Sequence, residues 1–137
     1  MFIHYKGKVK TVWLPATAST AFSKSAIVSW SSGQLIPATS LTTALSHAGV
    51  IERAVLSTDT DYATAGHLVP VTVPLEKNVV WKADTTATLV ATDVGSEVDL
   101  TDSLTINRGA SSIKVAMVHG VISTTLGLYI LKLNGAY

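Results

Sequence analysis

Four histidines, nine carboxylates and no cysteine bound the chemistry that this chain can carry. Without thiols there is no disulfide framework, no thiolate zinc site and no cysteine nucleophile. His4, His47, His67 and His119 are scattered, and no two stand at a spacing that places a pair of ligands on one element face. They read as packed or interface side chains. His119 alternates with Ile113, Val115, Met117 and Val121, which predicts a place on their strand face.

The densest carboxylate group is Asp93, Glu97, Asp99 and Asp102. A calcium loop needs ligands at alternate positions, a central glycine and a closing Glu, and this spacing supplies none of that order. The group reads as a solvated turn flanking a strand. Asp59-Thr60-Asp61 has the Asp-x-Asp form of metal or phosphate sites, but Ser57 to Tyr62 equally suits a turn between strands. No nucleophile elbow, phosphate-binding loop or dinucleotide fingerprint occurs. The expectation is a non-enzymatic protein with no catalytic, cofactor-binding or metal-ligating residue.

Charge is unevenly laid out under a net value of +1. Residues 1–51 carry Lys6, Lys8, Lys10 and Lys24 with no acid, whereas residues 52–102 hold all nine acids. The opening His4-Tyr5-Lys6-Gly7-Lys8-Val9-Lys10 is the one place where cations and an aromatic mix. It is too short to suggest nucleic acid. It reads as part of an extended N-terminal arm over residues 1–10. No apolar run approaches the ~20 residues of a membrane span, and the N-terminus lacks a signal-peptide pattern. No membrane or nucleic-acid partner is expected, and the chain reads as soluble.

Side chains must be positioned by something, and here the composition points to strands. Val, Ile and Thr supply 42 of the 137 residues, and such β-branched residues fit a pleated, half-buried surface. Strand signals separated by Gly, Asn, Asp and Ser clusters fall near 8–14, 26–30, 34–37, 49–56, 67–74, 78–83, 87–91, 96–100, 112–122 and 126–133. Ser31-Ser32-Gly33 and Ser123-Thr124-Thr125 read as hairpin turns. A short helical turn fits 40–47, capped by Ser40. The fold class is all-β: a single-domain β-sandwich or β-barrel, jelly-roll-like or tulip-like, spanning residues 1–137.

Two strands carry information about exposure. Val69, Val71 and Val73 form one face, and Pro70 and Pro74 remove donors from one side, which predicts an edge strand. In Leu126 to Leu133 both faces are apolar. Such a strand is central to a core or buried by a second subunit, so Leu126, Leu128, Tyr129, Ile130 and Leu131 are candidate subunit-interface residues. Trp13, Trp30 and Trp81 are each expected in the core. Only 14% of residues are charged, which suits a protein that covers part of its surface with a partner.

Gly49-Val50-Ile51-Glu52-Arg53, Ser57 to Ala63, Val69 to Pro74 and Val94 to Leu100 together resemble a group of small tailed-phage head proteins. These are decoration, or cement, proteins of the capsid, and the resemblance covers roughly residues 49–133. It implies an all-β protein on the outside of an assembled shell, made in the bacterial cytoplasm and ending on the virion. It implies the major capsid protein as partner and a homo-oligomer, a trimer ahead of a dimer, at a symmetry axis. His4, Tyr5, Lys6, Lys8 and Lys10 are the candidate capsid contacts. Two alternatives stand beside this reading. One is another virion part, such as a tail-tube, head-completion or fibre-base domain. The other is a carbohydrate-binding module that uses Trp30 or Trp81 for stacking.

Overall fold

The computed structural model describes residues 1–43 and 46–133. Its strands are β1 (Phe2–Lys6), β2 (Val9–Ala16), β3 (Ile27–Ser31), β4 (Gln34–Pro37), β5 (His47–Ile51), β6 (His67–Pro74), β7 (Val80–Thr86), β8 (Glu97–Asp102), β9 (Thr105–Asn107), β10 (Ala116–Ser123) and β11 (Leu126–Leu131). A 3-10 turn covers Ala91–Asp93. The fold is all-β, and its architecture is a pair of rings.

The first ring is a closed barrel in the order β2-β4-β3-β5-β6. Alternation drives it. Val69, Val71 and Val73 of β6 are fully buried and face Val12 and Leu14 of β2. Ala16, Val28, Leu35, Ile51 and Val55 complete that core. The β3–β4 hairpin turns on Ser32 and Gly33, whose φ values of 50° and 81° are those of a primed turn, which matches strand twist.

Closure of the ring depends on Gly49. A Cβ there would stand 2.5 Å from the Thr72 carbonyl oxygen and 2.7 Å from Val71 Cγ1. Only a residue without a side chain lets β5 come this close to β6. Here the expected edge strand is corrected. β2 pairs along the whole of β6, from Val9↔Pro74 to Ala16↔His67. On the other side the Pro70 carbonyl accepts the Glu52 N–H at 2.9 Å, so the side short of donors faces β5. Pairing there shrinks to Val50↔Thr72 and Ile51↔Val71. The prolines thin this seam without leaving an open edge.

The second ring lies in a six-stranded sheet in the order β1-β7-β11-β10-β8-β9, where a parallel β7–β9 pairing from Asp84↔Thr105 to Thr86↔Asn107 closes the five strands from β7 to β9 and β1 attaches along β7. Trp81, Ala83, Leu100, Ile106, Val118, Tyr129 and Leu131 fill it. Ile27 and Val50, from strands of the first barrel, join this second core. Leu104, from the β8–β9 turn, packs on the first. The rings are therefore tied by apolar contact as well as by the chain.

Several sequence expectations change. Residues 1–10 are not an extended arm. β1 pairs with β7 from Phe2↔Ala83 to Lys6↔Val80, and Phe2 is 1% exposed in the second core. An apolar side chain at that position gains about 2–3 kcal/mol by burial, enough to draw the segment onto the sheet. The strand expected at 49–56 is β5, two residues earlier and ending at Ile51. Residues 87–91 form no strand, while β9 at 105–107 escapes the sequence reading because it is three residues long. β10 starts at Ala116 instead of 112, since the Asp99 carboxylate takes the N–H groups of Ser112, Ile113 and Lys114. The helical turn expected at 40–47 includes residues 44 and 45, outside the described residues, and His47 opens β5.

Candidate interaction surfaces

Each polar group that resembled a reactive site is committed to structure. Arg53 pairs with Asp61 at 2.8 Å and with Asp59 at 3.5 Å, so the Asp-x-Asp segment is a guanidinium-clamped turn. Asp93 receives two bonds from Arg108, at 3.0 and 2.9 Å, and this fork holds its carboxyl below the usual carboxylate range. Glu97 meets Lys132 at 3.0 Å and is likewise lowered. Asp99 accepts three backbone N–H groups, and Asp102 accepts the Leu104 N–H at 2.8 Å. Among the described residues, no group of three or more His, Asp or Glu stands close enough to hold a metal ion.

The histidines divide by environment. His4 donates to the Gly7 carbonyl at 2.7 Å and stands edge-on to Trp81 with centroids 5.8 Å apart. His67 is buried, with Nδ1 bonded to the Thr64 carbonyl at 2.8 Å. His47 is buried on β5, and desolvation pushes its pKa down to about 4. His119 corrects its expectation. A register shift between Val118 and Gly120 puts it at a bulge, exposed to solvent and off the apolar face.

A basic ridge remains at one end. Tyr5 is 58% exposed, and His4, Lys6, Lys8 and Lys10 are exposed too. Strands hold this ridge in place. The Lys8 N–H donates to Glu76 Oε1 at 2.9 Å, and the Lys8 carbonyl accepts the Leu75 N–H at 2.8 Å. The ridge thus lies against the β6–β7 turn, which walls a cleft of about 640 Å³. Leu75, Val79, Trp81, Leu131 and Leu133 give that cleft its apolar lining, with Lys77, Lys132 and one acid, Glu76, alongside.

A second surface lies on the outward side of the six-stranded sheet. Ile130 sits between Val80 and Met117, and Leu128 between Lys82 and Gly120. Leu126, Leu128 and Ile130 are half-buried and Ile3 of β1 is 43% exposed. The interface expectation is corrected for two of its residues. Tyr129 is fully buried and Leu131 is 9% exposed, both in the second core. Tyr129 hydrogen-bonds Thr85 within that core, and burial raises its phenol pKa. β11 is thus both a central strand and the carrier of an apolar outward face.

The third surface was missed by the sequence reading. Trp81 is buried and Trp30 is partly buried against the first core, but Trp13 is 60% exposed. It stands on the outer wall of the first barrel opposite Pro70, with Leu68, 55% exposed, two pairs further along. Strand parity held the signal: Val12 and Leu14 point inward, so Trp13 between them points out.

No protein-family model matches this chain, and no curated protein matches it.

Proposed function

We propose that this chain is a non-enzymatic virion structural protein that binds the outside of an assembled tailed-phage capsid as a homo-oligomer. The observation that carries the reading is the basic ridge of Tyr5, Lys6, Lys8 and Lys10, held by strand pairing beside the 640 Å³ apolar cleft. Cations around an apolar recess suit an acidic partner surface that offers one apolar anchor. Strands already fix the ridge, so docking orders little new chain. The outward face of Ile3, Leu126, Leu128 and Ile130 suits contact with a further copy of the chain. Repetition around a capsid axis multiplies modest contacts into avidity, and a ligand of the assembled lattice alone stabilises it by mass action.

The test is sedimentation of purified protein with undecorated capsids. A charge-reversed variant, Lys6→Glu with Lys8→Glu and Lys10→Glu, is expected to lose most binding. Removing residues 1–10 is the wrong experiment, because it takes Phe2 out of the second core. Wild-type protein that stays in the supernatant across salt conditions rejects the proposal.

A further inference from the structure

We infer that Trp13, together with the groove between the two rings, forms a binding site for a neutral glycan. The groove has a volume of about 200 Å³ and is lined by Ile3, His4, Lys24, Glu52 and Thr72, among others. It is shallow and about the size of one sugar ring. Glu52 links it to Trp13. The hydroxyls of Thr11 and Thr72 both donate to Glu52 Oε1, the latter at 2.7 Å. Thr11 precedes Trp13 by two residues on β2 and so shares its outward face. An exposed indole therefore lies one strand step from an oriented carboxylate.

A sugar ring has one apolar C–H face and a rim of hydroxyls. The indole face receives the first, since its π-cloud attracts polarised C–H groups and the ring is rigid. The carboxylate receives the second. With Oε1 engaged by two threonines, Oε2 stays available to accept hydroxyl donors, while the Lys24 ammonium offers donors in return. Exposed Leu68, on the same outer face of the barrel wall, extends the apolar floor.

This polar company favours a sugar over a protein segment. A protein hot spot works by excluding water within an apolar surround. Covering Glu52 with an apolar protein surface would desolvate its carboxylate without a new partner, whereas sugar hydroxyls supply one. All of the named residues except Lys24 and Glu52 lie on paired strands, so the site is formed before the ligand arrives. His4 borders both this groove and the ridge, but Trp13 and Glu52 lie outside the ridge, so substitutions at these two separate the inference from capsid binding.

A labelled sample of the whole chain on a glycan array, followed by calorimetry with the best-retained neutral oligosaccharide, tests it. Trp13→Ala is expected to weaken binding at least about tenfold, as loss of an aromatic anchor does. Glu52→Gln, which keeps an acceptor for the threonines, is expected to weaken it by about fivefold. Thermal melting of both variants, expected to match wild type, separates these losses from misfolding. An array on which the wild type retains no glycan overturns the inference. So does a folded Trp13→Ala variant with wild-type glycan affinity. Loss of protein partners upon Trp13→Ala, with no glycan retained by wild type, overturns it too and assigns the face to protein docking.

Discussion

Ser29 and His47 stand opposite each other across β3 and β5, and Ser29 Oγ and His47 Nε2 are both buried with no hydrogen-bond partner among the described residues. A buried polar atom left unpaired costs about 1–3 kcal/mol. The pair therefore makes this seam a place where the first barrel gives away stability, and buried His67 Nε2 on β6, likewise without a partner among the described residues, is another.

The seam makes stability depend on pH. Burial lowers the His47 pKa from 6.5 to about 4, against the opposing pull of a hydrogen bond with the Thr42 backbone. The unfolded chain thus binds a proton at a pH where the folded one does not. Stability is complete above the unfolded value and drains away as pH falls through 6.5 toward about 4. The full loss is about 3 kcal/mol at 1.36 kcal/mol per pKa unit. Urea unfolding at pH 7.5 and at pH 4.5 is expected to show the drop, and His47→Gln to flatten it. Ser29→Ala is expected to be neutral or mildly stabilising, since it removes an unpaired hydroxyl.

Asp99 organises the loop before β10. Its carboxylate accepts the N–H groups of Ser112, Ile113 and Lys114, at 2.9, 2.9 and 2.6 Å. Asp99→Ala is expected to cost about 3 kcal/mol or more, because a charged acceptor is lost and three donors are orphaned. Denaturant midpoints will show it. Hydrogen exchange at 112–114 will rise before the rest of the second ring opens.

Gly49→Ala will strain the seam of the first barrel. The added methyl meets backbone at Thr72 as well as the Val71 side chain, and backbone cannot swing aside. A loss of about 1–3 kcal/mol is expected from such overpacking. Thermal melting checks it, with Gly33→Ala as a control, since a Cβ at Gly33 meets nothing within 4 Å. The control pays only for its positive φ of 81°, and should lose less than Gly49→Ala.

At the N-terminus, packing and charge are expected to separate cleanly. Phe2→Ala will destabilise by about 3–5 kcal/mol, the usual range for a buried Phe. Lys6→Glu, Lys8→Glu and Lys10→Glu lie in solvent and will each stay within about 0.5 kcal/mol of wild type. Binding to capsids is expected to respond in the opposite order. A scan of both properties over these four variants tests the placement of β1.

For self-association, Leu128→Lys with Ile130→Lys is expected to give a folded monomer by light scattering, where wild type gives an oligomer. Both side chains lie on the outward face and are only half-buried. Tyr129→Ala, one residue between them, will instead unfold the second ring. A wild-type monomer at micromolar concentration removes the interface.

The all-β class was legible because β-branched residues dominate and Gly-, Asp- and Ser-rich turns recur. The Val69-Val71-Val73 face and both hairpin turns were legible for the same local reason. Closure was not. Whether Pro70 faces solvent or a sparse seam depends on where β5 lies, and that is set by contacts distant in sequence. The N-terminal segment misled in the same way: Lys6, Lys8 and Lys10 announce solvent, and the single Phe2 that anchors β1 has its partner some eighty residues away. Among the surface residues, cations were readable from charge alone. Trp13 was not, because large aromatics are usually buried, and only its parity with Val12 and Leu14 separates it from Trp81. The candidate carboxylates dissolved into pairings with Arg53, Arg108 and Lys132 and, for Asp99 and Asp102, into bonds from backbone N–H groups, none of which a local pattern announces.

β1 belongs to the sheet of the second ring although the whole first ring intervenes before β7. Apart from the Phe2 N–H bond to the Ser25 carbonyl at 2.8 Å, β1 finds its pairing partner only in residues 80–83. The first barrel, complete by Pro74, is free to form while that strand waits. An obstruction at Phe2, which packs in the second core, would therefore burden the second ring while leaving the strand pairing of the first barrel intact.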